Sequence, residues 1–321
     1  MRPLRLCGEK ELYLMIHEEK LRTAFLSILS NTVLIAGKLA VGLITGSVSV
    51  ISEAIHSGID LIAAFIAYFS VRAAARPPDK EHQFGHGKIE NLSGYIEATL
   101  IFFAAALIIH QAWDKIVKGT GVELVWMGLA VMGLSIVLNW FVSRRLMAVA
   151  KKYHSAALEA DALHLTTDIY TSIGVLVGLG LVQVTGLQII DPIVAIIVAV
   201  MIIVAAYRLT RKSVRDLVDI KLTDEEESAV KRILEEHASQ FVGYHEMRTR
   251  RAGNTRFIDL HLVVNKELHV DESHKLTEHL ETDLVKAFPD SQVLIHIEPC
   301  DDNCAPCQHK STCKKESGKN K

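Results

Sequence analysis

The chain has 321 residues, of which 50% are hydrophobic and 6% are aromatic, and its formal net charge is −2. A balance this close to neutral excludes a strongly basic nucleic-acid binder, and the apolar content excludes a mainly disordered chain. The apolar residues are concentrated between residues 24 and 207 in runs of about 20, the length that crosses a bilayer at roughly 1.5 Å per residue. We therefore predict a helical membrane domain followed by a hydrophilic domain.

The amino-terminal half predicts a short charged segment and six membrane spans. Residues 1–22 have no cleavage-site pattern and predict a short amphipathic helix at the membrane surface. Within a membrane domain of residues 23–212, hydropathy and turn signals predict spans at 24–45, 47–71, 90–113, 121–143, 158–185 and 189–207. Lys and Arg gather in residues 1–22 and in the loops 72–89 and 144–157, whereas the alternate loops hold Lys115 and Lys118. This asymmetry predicts that both termini are cytoplasmic.

Two of the predicted spans carry the same H-x-x-x-D pattern. His56 and Asp60 lie in the second span, and His164 and Asp168 lie in the fifth. A spacing of four places both side chains of a pair on one helix face, and ionisable groups in a span usually face a polar interior. If the two faces meet, two imidazoles and two carboxylates form a closed set that suits zinc and cancels its charge. The alternative is a local hydrogen bond within each helix.

Three other ionisable residues lie in these spans. Glu53 and Asp161 are candidate ligands, with the alternative that they line a path or accept hydrogen bonds. Lys38, near the middle of the first span, could neutralise an Asp.

The loop after the second span contains a third group of candidate ligands. Asp79, His82 and His86 can converge on a cation if the loop runs directly into the third span. Three ligands with an open position would make an exchangeable metal site. The alternative is a solvated loop whose glycines form a tight turn.

Residues 213–299 predict a small α+β domain. Thr223 and Glu226 have the spacing of a capping box, which opens a helix that ends near residue 238. Alternating apolar residues predict strands at 243–250, 256–264 and 292–298, and a periodic apolar stripe predicts a helix at 271–288. The element order is therefore αββαβ. In the third strand, His296 and Glu298 share one face, and His261 lies on a strand that can pair beside it.

Residues 300–321 are rich in cysteine and lysine. They contain Cys300, Cys304, Cys307 and Cys313, with His309 between the last two. Cys304 and Cys307 have the C-x-x-C spacing of a thiolate metal site, and a cytosolic location argues against disulfides. Zinc binding by Cys304, Cys307, His309 and Cys313 and a disordered tail both remain open.

Residues 23–299 resemble the cation diffusion facilitators, which are divalent-metal/proton antiporters. The resemblance rests on the six spans, the paired x-x-x-D motifs, the loop RPPDKEHQFGHGKIEN and the stretch RTRRAGNTRFIDLHL. The resemblance implies a homodimer, a metallochaperone-like soluble domain and a hinge ion pair between Lys88 and Asp219, where the alternative is simple surface charge. It also implies three metal sites. They are a transport site of His56, Asp60, His164 and Asp168, a loop site of Asp79, His82 and His86, and a binuclear site with His245, His261 and Glu298 on one ion and His261, His274 and His296 on the other.

The same resemblance implies the cargo and the direction of transport. Many zinc-transporting members have His at the position of His56, where many bacterial members have Asp, so zinc is the expected cargo. We expect export of Zn²⁺ in exchange for protons by alternating access. Many eukaryotic relatives have a His-rich insertion in the loop 144–157, and because this chain lacks it, we expect a bacterial inner membrane. His237, His269 and His279 match no family ligand and are expected to be surface histidines.

Two other classes of function compete with transport. A membrane metalloenzyme would need an open metal position and a general base, but the chain has no H-E-x-x-H motif and the four-ligand set is closed. A membrane-anchored metal sensor would leave the two H-x-x-x-D pairs without a role.

Overall fold

The computed structural model describes residues 5–45, 48–118, 126–187 and 189–300. The chain divides into two compact units, of which the first ends at Leu217 and the second begins at Val218. Each unit has a hydrophobic core of its own.

Within the described ranges the first unit contains six long helices, which overlap the six predicted spans. They are α1 (Arg5–Thr45), α2 (Val48–Ala74), α3 (Lys88–Lys118), α4 (Trp126–Tyr153), α5 (Ala156–Thr185) and α6 (Ile190–Leu217). Within the described residues, α1, α3, α5 and α6 each contain a stretch long and apolar enough to cross a membrane. Apolar side chains such as Phe65, Phe103, Phe141 and Ile197 are exposed on the outside of the bundle, as expected for helices that face lipid.

The amino-terminal segment differs from the sequence-based expectation. We predicted a separate short surface helix, but α1 runs without a break from Arg5 to Thr45. A reason is visible at Lys20, whose ammonium is fully buried and donates a hydrogen bond to the Glu90 carboxylate of α3. Ser155 donates to the same carboxylate. This buried network holds α1 at Lys20 against α3 and the start of α5.

Helix α5 lies at the centre of the bundle. Its residues Leu158, Ala162 and Leu165 pack with α1, α2 and α4, whereas Ala160 packs with α3 and α6. Small residues permit this close approach. A Cβ added at Gly174 would lie 2.8 Å from Val198 Cγ2 of α6. The fifth span therefore contacts helices on both sides and can hold its polar side chains inside the bundle.

The second unit has the predicted αββαβ order. Helix α7 (Asp224–Glu236) is followed by β1 (Gly243–Ala252), β2 (Thr255–Val264), α8 (Val270–Ala287) and β3 (Ser291–Pro299). The sheet order is β1-β2-β3, with β1 antiparallel and β3 parallel to β2. Leu234, Leu260, Leu262 and Leu280 are fully buried between the helices and the sheet. Because side chains alternate along a strand, His261 points to the sheet face opposite the helices.

The predicted capping box at the start of α7 is present. Thr223 Oγ1 accepts a hydrogen bond from the Glu226 backbone, and the Glu226 carboxylate accepts one from the Thr223 backbone. The same carboxylate also accepts hydrogen bonds from Arg251, at 2.5 Å, and Arg256, at 2.9 Å. Glu226 therefore joins the first helix of the domain to the β1–β2 hairpin.

Candidate metal centres

The predicted transport-site residues Asp60, His164 and Asp168 converge inside the helix bundle. One ligand atom from each lies within 4.8 Å of the other two. His164 Nε2 donates to Asp60 Oδ1 at 3.1 Å, and both residues are buried. This hydrogen bond joins α5 to α2 rather than the two members of one H-x-x-x-D pair. The arrangement brings an imidazole and two carboxylates together, and these are ligands that zinc accepts.

A small polar cavity adjoins these ligands. It measures about 40 Å³, and its wall includes Asp60, Asp168, Lys38 and Ser57. Lys38 is buried and donates a hydrogen bond to Ser57 Oγ at 2.7 Å. Lys38 has no acidic residue four positions further along its helix, but the structure places this side chain in the wall of the same cavity as the two carboxylates.

Three other candidates in the spans have different outcomes. The side chains of His56 and Glu53 lie outside the described part of the structure, although the backbone of both belongs to α2. Asp161 is fully buried, and neither of its carboxylate oxygens has a hydrogen-bond partner among the described residues. It is not part of the three-residue cluster above. The place of His56 in the transport site stays a prediction.

The loop residues Asp79, His82 and His86 also converge. Their ligand atoms lie within 4.8 Å of one another, with His86 Nε2 at 3.3 Å and His82 Nδ1 at 3.6 Å from the Asp79 carboxylate. The backbone N–H groups of His82 and Glu81 donate to Asp79 Oδ1, and the hydrogen bond from His82 in particular lowers the pKa of that carboxyl. Asp79 is therefore held as a carboxylate, which is the form that binds a cation.

The orientation of His86 also suits metal binding. It is buried, and its Nδ1–H faces the Arg76 carbonyl oxygen at 3.4 Å. This contact leaves Nε2 directed at Asp79. Metal-binding histidines are commonly oriented by such a hydrogen bond from the other ring nitrogen. Gly85 has a φ of +84° in the turn between the two histidines, a conformation that glycine adopts without strain.

In the second unit, three histidines form one row across the sheet. His245 pairs with His261 in the strand register, and His261 pairs with His296. Glu298 accepts hydrogen bonds from His245 Nε2 at 2.9 Å and from His261 Nδ1 at 2.8 Å. Both hydrogen bonds lower the pKa of Glu298, and the bond from His261 has the larger effect. His245, His261 and Glu298 thus lie close enough together to hold a metal ion, and their role as ligands of the first ion of the binuclear site stays a prediction.

The second ion of that site has less support in the geometry. His296 lies beside His261, with ring centroids 4.8 Å apart. His274 lies on the exposed side of α8 and is not in a cluster with them among the described residues. The ligand set of His261, His274 and His296 stays a prediction.

The predicted hinge residues lie in different units. Lys88 donates to the Leu217 carbonyl oxygen at 3.2 Å, and Asp219 lies 3.5 Å from Arg250 Nη1. The ion pair between Lys88 and Asp219 stays a prediction. Residues Cys304, Cys307, His309 and Cys313 of the tail lie outside the described residues.

Sequence reasoning missed one cluster. His237, His279 and Asp283 also have ligand atoms within 4.8 Å of one another, although we expected both to be surface histidines. His269, the third histidine of that group, is exposed and caps the start of α8. The signal that could have found the cluster is the spacing of His279 and Asp283, which repeats the H-x-x-x-D pattern of the membrane spans.

Comparisons with known proteins agree with this architecture. Residues 24–218 match the cation efflux transmembrane domain, and residues 222–300 match the cytoplasmic domain of cation efflux proteins. An uncharacterized transporter of Synechocystis sp. is 34% identical over 279 residues, which cover 87% of this chain and 90% of the relative. The cation-efflux pump FieF of Yersinia pestis is 32% identical over 256 residues, 80% of this chain and 85% of the pump.

A solved structure of the metal-bound C-terminal domain of the CzcD transporter from Thermotoga maritima is 28% identical and has a TM-score of 0.22. It covers 23% of this chain and 87% of that domain. The two domain matches together span most of the chain, and the first alone covers more than half of it. The protein is therefore a transporter rather than an enzyme, and it belongs to the cation efflux family, as its resemblance to the cation diffusion facilitators predicted.

Proposed function

We propose that this protein exports Zn²⁺ from the cytoplasm in exchange for protons, as a homodimer in a bacterial inner membrane with both termini in the cytoplasm. The observation that carries the proposal is the convergence of buried Asp60 and His164 with half-buried Asp168 from two different spans. His56, one turn before Asp60 in the sequence, would complete a set of two imidazoles and two carboxylates. Nitrogen ligands favour zinc over magnesium, calcium or manganese, which prefer oxygen.

Protons and zinc compete for the same ligands in such a site. An imidazole must be deprotonated to bind metal, and histidine ordinarily titrates near pH 6.5. A site open to a more acidic compartment would therefore release zinc and take up protons. When the site opens to the cytoplasm near neutral pH, it would lose protons and bind zinc again. This competition couples the two fluxes without a separate proton site.

Two neighbouring cavities support a route away from the ligands. A second cavity, of about 140 Å³, lies between α3, α5 and α6 and is lined by Lys115, Asp191 and Thr171. Thr171 also lines the small cavity at Asp60 and Asp168. Lys115 and Asp191 form an ion pair at 3.0 Å, close to the end of α3 and the start of α6. The two cavities thus follow one another toward the end of the bundle that lies opposite the α2–α3 loop, which contains Asp79. In our proposal this end is the release side.

Reconstituted vesicles test the proposal. The purified protein is placed in liposomes that contain a fluorescent zinc indicator, and zinc uptake is followed with and without an imposed pH gradient. We expect uptake that the gradient accelerates, and proton movement in the opposite direction reported by a pH dye. Asp60→Ala and Asp168→Ala should each reduce uptake to the level of empty vesicles. Ser172→Ala, which alters the same cavity without removing a ligand, is the matched control and should transport zinc.

Different results would contradict different parts of the proposal. Zinc uptake that is indifferent to the pH gradient would refute proton exchange. If both Asp variants transport zinc like the wild-type protein, the ligand assignment is wrong. An absence of zinc uptake together with uptake of another divalent cation would overturn the choice of cargo.

A further inference from the structure

The cluster of His237, His279 and Asp283 belongs to none of the metal sites above. His237 caps the carboxyl end of α7, and the other two residues lie one turn apart on α8. His237 Nε2 and His279 Nε2 lie 3.5 and 3.6 Å from the same oxygen, Asp283 Oδ2. These separations are longer than the usual range for a good N–H···O hydrogen bond, about 2.7–3.2 Å. They equal the distance between two ligands of a tetrahedral metal ion, roughly 3.3–3.6 Å for bonds of about 2.0–2.2 Å.

Neighbouring groups orient two of the three ligands for metal binding. The Nδ1–H of His237 donates to the Ile233 carbonyl oxygen at 3.0 Å, which places the lone pair on Nε2. Lys286 donates to Asp283 Oδ1 at 2.7 Å, so Oδ2 remains directed at the two imidazoles. Partners of this kind fix the tautomer and the direction of metal ligands. The hydrogen bond from Lys286 also lowers the pKa of Asp283, which keeps its carboxyl group ionised.

This cluster is separate from the row of histidines on the sheet. Leu234 of α7 and Leu280 of α8 are buried in the core together with Leu260 and Leu262 of β2. The helices therefore cover one face of the sheet, and His261 lies on the other. Only 12% of the His237 side chain is exposed, against 56% for His279. The cluster is thus anchored on one side and accessible to solvent on the other.

We propose that His237, His279 and Asp283 bind one divalent transition-metal ion of the zinc class, with a water molecule in the fourth position. Three protein ligands with an open position make a site that exchanges its metal readily. A metal there fastens the end of α7 to α8. The site responds to cytoplasmic metal independently of the ligands in the membrane and of the row of histidines on the sheet.

Metal counting on the purified full-length protein tests this site. Zn²⁺ alone is titrated against the wild-type protein and three variants, with a chromophoric chelator as competitor at pH 7.5. His279→Ala and Asp283→Asn should each bind one zinc ion fewer per chain than the wild type. His279 is more than half exposed, so its removal leaves the fold intact. Glu278→Ala, which changes an exposed acid of the same helix, is the matched control and should bind the wild-type number.

A second measurement separates a specific site from surface binding. Hydrogen exchange should show that zinc slows exchange at the end of α7 in the wild-type protein and in Glu278→Ala, but not in His279→Ala. Equal zinc counts in all four proteins would overturn the proposal, as would an equal loss in Glu278→Ala. Zinc binding without any change in exchange at α7 would also overturn it, because His237 would then not be a ligand.

Discussion

Glu226 allows the stability of the second unit to be tested quantitatively. Burial by itself would raise the pKa of this carboxyl, but the hydrogen bond from Arg256 and the charge of Arg251 outweigh burial and lower the pKa from 4.5 to about 2. At roughly 1.4 kcal/mol per pKa unit, this shift corresponds to about 3 kcal/mol. The side chains of all three residues are less than one fifth exposed, and residual screening by water reduces the contribution to about 2 kcal/mol.

Glu226→Gln isolates this contribution. Gln still completes a capping box, so the variant removes the charge and keeps the cap. At pH 7 we expect the second unit to lose about 2 kcal/mol of stability, which raises hydrogen exchange in α7 and β1 by roughly 30-fold. Because the folded pKa lies below the unfolded value, the contribution is complete above about pH 4.5 and is lost as the pH falls toward 2. The two proteins should therefore converge in acid.

The control for this experiment is Glu225→Gln. Glu225 is the neighbouring acid in the first turn of α7 and is exposed, so its replacement should change stability by less than about 0.5 kcal/mol. Equal exchange rates in Glu226→Gln and the wild-type protein at pH 7 would refute the ion-pair argument. A difference that persists unchanged near pH 3 would show that packing, and not charge, is responsible.

Two further predictions concern the helix bundle. Gly174→Ala should lower the free energy of unfolding of the bundle by about 1–3 kcal/mol, because the new Cβ would lie 2.8 Å from the branched side chain of Val198. Gly180→Ala is the control, because a Cβ at Gly180 meets open space, and this variant should melt like the wild type. Equal melting temperatures of the two variants would contradict the packing argument. Lys115→Met should destabilise the bundle by about 1–3 kcal/mol, because it leaves the buried Asp191 carboxylate without its ion pair. Adding Asp191→Asn to that variant should restore most of the loss in the same melting assay, and a further additive loss would refute the coupling.

Much of the fold follows from patterns within single elements. Apolar runs of about 20 residues predicted six spans because a helix needs that length to satisfy its backbone inside a bilayer. The second unit was predicted in the same way. Thr223 and Glu226 mark the start of α7 because their side chains satisfy its free N–H groups, and the alternation around His261 marks β2 because a strand has a period of two.

Tertiary structure alone decided which distant residues meet. The sequence placed His164 near Asp168, but packing of α5 against α2 gave its imidazole Asp60 as a hydrogen-bond partner. Packing likewise placed Lys38 in the cavity of the carboxylates and set His237 against His279 from another helix. The sequence by itself determined the elements and the side chains that each can present on one face, because local periodicity encodes both. The partners across elements depend on how helices and strands pack, and no local pattern specifies that geometry.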